Sequence, residues 1–212
     1  MGADIASLSL GGEHLAAECG GFDPYTSGFC RAIAQGLLVF ASAGNDAIDS
    51  IYKAPANMPG VITVSALGDF DGIPGGEGGP QAGCSLGYYQ ADDQLAFFSN
   101  WGSQVDVIAP GVCILAVLPG NQWGFTSGTS PATPFAVGVT AAFMIEYPDC
   151  DGQDAWKAVL GYSKRPEWVD GLGVWDGDKG PDKEPLIRYV TTEAPMFEEN
   201  PCKIPFEWEE TS

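Results

Sequence analysis

Apolar positions along the chain come in short blocks cut by glycine and proline, with few long periodic stretches. Ile5 to Leu10 (Ile-Ala-Ser-Leu-Ser-Leu) has strand character and stops at Gly11-Gly12. Tyr25 to Gln35 places Phe29, Ala32 and Ile33 towards one face and meets Gly36, which predicts a helix and its stop. Leu37 to Ala43 is an apolar run broken only by the small Ser42, the pattern of a strand buried on both faces, and ends at the turn signal Gly44-Asn45-Asp46. Val61 to Leu67 opens with four β-branched residues and predicts another strand. Strand, helix, strand in this order implies parallel pairing through a crossover, hence an α/β domain.

Gly68 to Gly87 is rich in Gly, Pro and Asp and predicts a long surface excursion. Short strands follow at Val105 to Ile108 and Ile114 to Val117, separated by Pro110-Gly111. Ser127-Gly128-Thr129-Ser130-Pro131 then leads into Ala132 to Tyr147, apolar almost all round, which predicts a helix at the centre of a domain. Pro131 suits the first helical turn, and Pro134 is expected within that turn as well. Ala155 to Tyr162 predicts a smaller helix. Beyond Lys164 the chain turns rich in Gly, Asp and Trp. Residues 191–212 are acidic and Pro-broken, and are expected to form a surface tail pinned by Cys202. No internal repeat is present.

The 212 residues carry 9 Lys/Arg against 28 Asp/Glu, a formal charge of −19. That balance argues against nucleic-acid partners and against a polybasic membrane patch. No apolar stretch approaches a membrane span, and Met1-Gly2-Ala3-Asp4 does not open like a secretory signal. The acidity is concentrated late: residues 146–212 hold 16 of the 28 carboxylates. Solubility explains it, as does a salty or calcium-containing outside medium.

The six cysteines (Cys19, Cys30, Cys84, Cys113, Cys150, Cys202) form no CxxC pair, and His14 is the chain's one histidine, so zinc spacing is absent. Three disulfides in an oxidising compartment are expected, with buried free thiols as the alternative; spacing does not choose among the fifteen pairings.

The chemistry centres on Ser130, delivered by a small-residue loop to the start of an apolar helix. A helix N-terminus presents unpaired N–H groups and a partial positive charge, able to stabilise an oxyanion forming beside Ser130 Oγ. Asn45 follows a buried strand at the end where α/β proteins place their sites, and its amide can donate to the same oxyanion. Taken singly, Ser130 reads as an ordinary N-cap serine and Asn45 as an ordinary Gly-Asn turn.

Five segments in order carry a family resemblance. They are Ser9-Leu10-Gly11-Gly12; Ala41-Ser42-Ala43-Gly44-Asn45; Ala54-Pro55-Ala56 with Val61 to Ala66; Phe98-Ser99-Asn100-Trp101-Gly102 with Ala109-Pro110-Gly111; and Ser127 to Pro134. The chain resembles the subtilisin-like serine proteases over roughly residues 3–190. The resemblance implies a three-layer α/β fold with a mostly parallel sheet, its N-terminal portion missing. Residues 1–190 would be the nucleophile-bearing part of the catalytic domain, and 191–212 an acidic C-terminal tail.

It further implies that Ser130 is the nucleophile of a serine endopeptidase and Asn45 the oxyanion donor, working with the Ser130 N–H. Ser9, Leu10 and Gly11 would pair with a peptide substrate as an added strand. Ala41, Ser42, Ala43 and Gly44 would wall the pocket for the residue before the scissile bond. Similarity to secreted members implies a secreted protein with the disulfides Cys19–Cys30 and Cys84–Cys113. No cofactor is implied as required; calcium on loop carboxylates is compatible, with Asp46, Asp49, Asp69, Asp71, Asp176 and Asp178 as candidates.

The departures are specific. Pro131 and Phe135 stand where the family usually has Met and His, changes that touch helix packing and leave the serine in place. The family's Asp and His motifs precede the serine segment, and neither motif occurs in this chain. His14 is expected to be a solvent-facing loop residue without a role as base. A serine without its base is a weak nucleophile. Two further readings therefore stand beside an incomplete peptidase: a non-catalytic peptide-binding module, and a chain completed by a separately encoded Asp/His-bearing segment.

Overall fold

A computed structural model describes residues 2–15, 18–19, 21–71, 78–79, 82–86, 90–162 and 202. Its sheet is built on β1 (Ile5–Leu8), β3 (Leu38–Ser42), β5 (Ile62–Gly68) and β7 (Val107–Pro110), adjacent in that order and all parallel. A short β6 (Gln94–Leu95) pairs antiparallel with the end of β5. β2 (Gly12–Glu13) and β4 (Lys53–Ala54) form a small ribbon, and β8 (Ile114–Leu118) with β9 (Gln122–Thr126) a hairpin.

Alternation along β3 divides the core. Leu38 and Phe40 face one side, where they join Val64, Val107, Ala132, Ala136, Phe143 and Trp156. Val39 and Ala41 face the other, against Phe29 and Ile33. Helix α1 (Pro24–Ala34) therefore covers one face. Helices α2 (Thr129–Glu146) and α3 (Gly152–Tyr162) cover the opposite one, with Phe40 and Trp156 edge to face at 5.1 Å. Three layers result, with β3 buried along its whole length as its apolar run requires.

Helix α1 starts one residue before the expected Tyr25 because Asp23 caps it, accepting from the Tyr25 and Thr26 N–H groups, and Pro24 suits its first turn. Donation from the Thr26 hydroxyl, together with those two N–H bonds, holds the Asp23 carboxyl down to about 2.

Three expectations are corrected. The strand expected at Val105 to Ile108 is β7, two residues later, because Gly102 and Val105 close a turn first. Helix α2 begins at Thr129, which places Pro134 in its second turn, where an N–H would ordinarily bond the Ser130 carbonyl. And α2 is central on one side only: Ala132, Ala136, Val139 and Phe143 are buried, while Gly138, Ala142 and Ile145 (81% exposed) face outward. Its apolar outer side is uncovered among the described residues. The same holds for the edge of β1, which pairs with β3 alone. Among those residues no helix is long and apolar enough to cross a membrane.

All six cysteines are paired: Cys19–Cys30, Cys84–Cys113 and Cys150–Cys202. The third ties Cys202 to the turn between α2 and α3, the pin expected of the tail. The rest of residues 191–212 lies outside the described residues, as do Asp176 and Asp178.

Candidate active site

The parallel strands β1 and β3 run in register, so their C-terminal ends open side by side. From β1 emerge Ser9, Leu10 and Gly11, all exposed; from β3 emerge Gly44 and Asn45. Ala41, Ser42 and Ala43 are buried in the strand end and Gly44 alone of that group reaches the surface. The start of α2 packs against the same corner.

The first-turn donors of α2 can be followed one by one. Gly128 has no side chain to cap with, and its φ of 154° favours glycine. Its N–H donates to the Gly111 carbonyl at 2.8 Å. The cap comes from a residue 84 positions away: Asn45 Oδ1 accepts the Thr129 N–H at 2.8 Å and the Thr129 hydroxyl at 3.0 Å. Pro131 has no N–H. The Ser130 N–H is what remains, with no acceptor among the described residues.

This arrangement also orients the Asn45 amide. With Oδ1 committed to two donors, Nδ2 is the end left over, and it lies beside Gly128, within 3.5 Å of where a Cβ would stand. One amide N–H and one backbone N–H are thus available beside Ser130, which is itself exposed at the second helical position. No acidic residue occupies the first turn of α2 to offset its partial positive end.

Ser9 contributes in a way the sequence did not suggest. Its hydroxyl donates to the Ser130 carbonyl at 2.8 Å, the carbonyl that Pro134 leaves without its helical partner. The signal was Pro134 itself, four residues past the serine. Thr129 was likewise missed as a contact of Asn45. It accepts the Gly44 N–H at 3.2 Å, so one hydroxyl joins the strand end to the helix start.

His14 is not part of this corner. Its ring lies 3.6 Å from Asp23 Oδ2 and edge to face with Tyr25, and its N–H and C=O bond Tyr52 and Asn57. It makes no hydrogen bond to Ser130. Nearby, Lys53 pairs with Asp46 at 2.9 Å and Glu13 at 3.8 Å, contacts that hold its ammonium charged and its pKa above the usual lysine value.

Of the carboxylates considered for calcium, Asp46 is taken by Lys53, and Asp49 accepts the Ile51 N–H. Asp69 and Asp71 do converge, with Asp92 as a third member that the sequence reading left out; one oxygen from each lies within 4.8 Å of the others.

The chain is similar in sequence and fold to known proteins. The profile of the subtilase family matches residues 1–171. "Subtilisin-like protease 3" of Trichophyton equinum is 34% identical over 146 residues, 69% of this chain and 30% of the relative. "Subtilisin-like protease 5" of Arthroderma gypseum is 38% identical over 141 residues, 66% of this chain and 28% of the relative. Among solved structures, a cold-adapted subtilisin-like serine proteinase aligns over 87% of this chain and 54% of its own, at TM-score 0.61 and 25% identity. A protease from Pseudoalteromonas arctica aligns over 88% and 49%, at TM-score 0.63 and 21% identity, a likeness of fold. The chain spans about 30% of the curated relatives it matches and about half of the solved structures. With the family profile covering most of its length and a subtilisin-like α/β fold beneath it, this chain belongs to the subtilase family.

Proposed function

We propose that this chain is the nucleophile-bearing part of a serine endopeptidase. Ser130 Oγ bonds to the peptide carbonyl carbon while its proton passes to a general base supplied by an Asp/His-bearing segment outside this sequence. The oxyanion is received by Asn45 Nδ2 and the Ser130 N–H, the base returns the proton to the departing amine, and water then releases the acyl group. The observation that carries this reading is the commitment of Asn45 Oδ1 to Thr129, which leaves the donor end of the amide over beside the serine's own open N–H. Two preorganised donors aimed at a developing charge are the largest single contribution in acyl transfer. Ser9, Leu10 and Gly11, exposed at the end of an edge strand, suit backbone pairing with an extended peptide. The backbone of Ala41 to Gly44 would wall the adjoining pocket.

The hydrolysis needs no cofactor. The all-oxygen set of Asp69, Asp71 and Asp92 fits the preference of calcium, which would there stabilise a loop and take no part in the reaction. Three disulfides favour an extracellular location.

One observation favours a second reading, a peptide-binding module without turnover: the one histidine is engaged at the start of α1 and makes no hydrogen bond to Ser130. Labelling with a peptidyl fluorophosphonate followed by peptide mass spectrometry separates the two. A peptidase labels at Ser130, and Ser130→Ala abolishes it. A folded chain that binds peptide but stays unlabelled, with binding unchanged in Ser130→Ala, is the binding module.

A further inference from the structure

Asn45 sits at the apex of a loop whose fixed points lie on either side of it. Its own backbone N–H and C=O make no hydrogen bond among the described residues. What holds the loop is largely one residue. Asn100 is fully buried, and its Nδ2 donates to the Ala43 carbonyl at 2.8 Å. Its Oδ1 accepts from the N–H of Asp46 at 2.9 Å and of Ile48 at 3.2 Å. Its backbone N–H donates to the Gly44 carbonyl at 2.9 Å. Gly44 and Asp46, the two neighbours of Asn45, are therefore both bound to Asn100. The fit is tight: a Cβ on Gly44, whose φ is +106°, would stand 2.4 Å from Asn100 Nδ2. Asn100 is anchored from behind, since its carbonyl accepts the hydroxyls of Ser65 on β5 and of Ser99.

We infer that Asn100 is a positioning residue for the oxyanion donor. It fills the loop between β3 and the turn at Asp46 so that the Asn45 amide meets Thr129 with Oδ1 and the reacting carbonyl with Nδ2. The inference rests on the role proposed above for Asn45. It selects Asn100 because a carboxamide alone supplies a donor on one side and an acceptor on the other in that space.

The test is a double-mutant cycle of Asn100→Asp with Asn45→Ala, read as the inactivation rate constant and the inhibitor binding constant at Ser130 for a peptidyl fluorophosphonate. Asn100→Asp keeps the acceptor and turns a second oxygen on the Ala43 carbonyl. The expected result is a fall in the rate constant of about 10- to 100-fold, with binding within about twofold. In the Asn45→Ala background Asn100→Asp then adds no further loss. A loss of the same factor in both backgrounds, or an unchanged rate, overturns the inference while leaving Asn45 in its role. An unimpaired Asn45→Ala removes the role of Asn45, and an unlabelled wild type removes the reading of Ser130; the inference falls with either. If Asn100→Asp does not fold, Gly44→Ala takes its place in the cycle, since its methyl would displace the same amide, and the same coupling is expected.

Discussion

Substituting Asn45 separates two jobs that one side chain performs. Its Oδ1 caps α2 by accepting from Thr129 at 2.8 Å, and its Nδ2 is the proposed oxyanion donor. Asn45→Ala removes both. The lost cap costs about 1 kcal/mol of stability. The lost donor slows reaction at Ser130 by on the order of 10²–10³, the magnitude known from subtilisin, a member of this family. Asn45→Asp keeps the acceptor. A carboxylate at a helix N-terminus adds roughly 0.3–1 kcal/mol, so the variant is at least as stable as the parent near neutral pH. Yet it has no donor and sets a negative charge where another must develop, so its reactivity falls at least as far as that of Asn45→Ala. Urea unfolding and the rate of fluorophosphonate labelling at Ser130 measure the two quantities on the same samples. Stability and reactivity should part company in Asn45→Asp and decline together in Asn45→Ala. An Asn45→Asp variant that labels like the parent would refute the assignment of Nδ2.

Other consequences concern stability. Burial pushes the Asp106 carboxyl up to about 6 against the Thr63 N–H that favours its charged form. The folded state thus holds this proton more tightly than the unfolded chain, whose carboxyl titrates near 3.8. The contribution is complete below pH 4 and is lost as pH rises through 6, a fall of at most about 3 kcal/mol. Urea titrations of wild type and Asp106→Asn between pH 4 and 8, in divalent-free buffer, should show the fall in the parent alone. Cys202→Ser opens a loop spanning 52 positions and should lower stability by up to about 4 kcal/mol, read as an earlier urea midpoint; no change would mean that the tail contributes nothing to the fold. Phe40→Ala, at a fully buried ring against Trp156, should cost about 3–5 kcal/mol in the same assay. A cost below 1 kcal/mol would contradict the division of the core at β3.

Local patterns were enough for the frame of this protein. The run at Leu37 to Ala43, apolar but for Ser42, marked the central strand, and Gly44-Asn45 marked the turn that ends it, because burial and turning are decided within a few residues. The serine loop was readable for the same reason. What escaped reading depends on distant partners. Nothing in Gly128-Thr129 reveals that the helix is capped from position 45, or that Ser9 takes the carbonyl freed by Pro134. Asn100 was visible as part of a motif, but its task follows from a fold that brings it to Ala43 and Asp46, 57 and 54 positions away. Strand β9 was missed because Gln-Trp-Gly-Phe-Thr has a polar start and a glycine in its middle; pairing with β8 forms it, more than its own propensity. Helix α2 misled through composition: apolar residues all round gave no sign of which side meets the sheet.

The most direct measurement is a diffraction structure of the chain after reaction with the fluorophosphonate. The account predicts phosphorus bonded to Ser130 Oγ, with one phosphoryl oxygen about 2.7–3.1 Å from both Asn45 Nδ2 and the Ser130 nitrogen. A phosphoryl oxygen turned to solvent, with the Asn45 amide directed elsewhere, would contradict it.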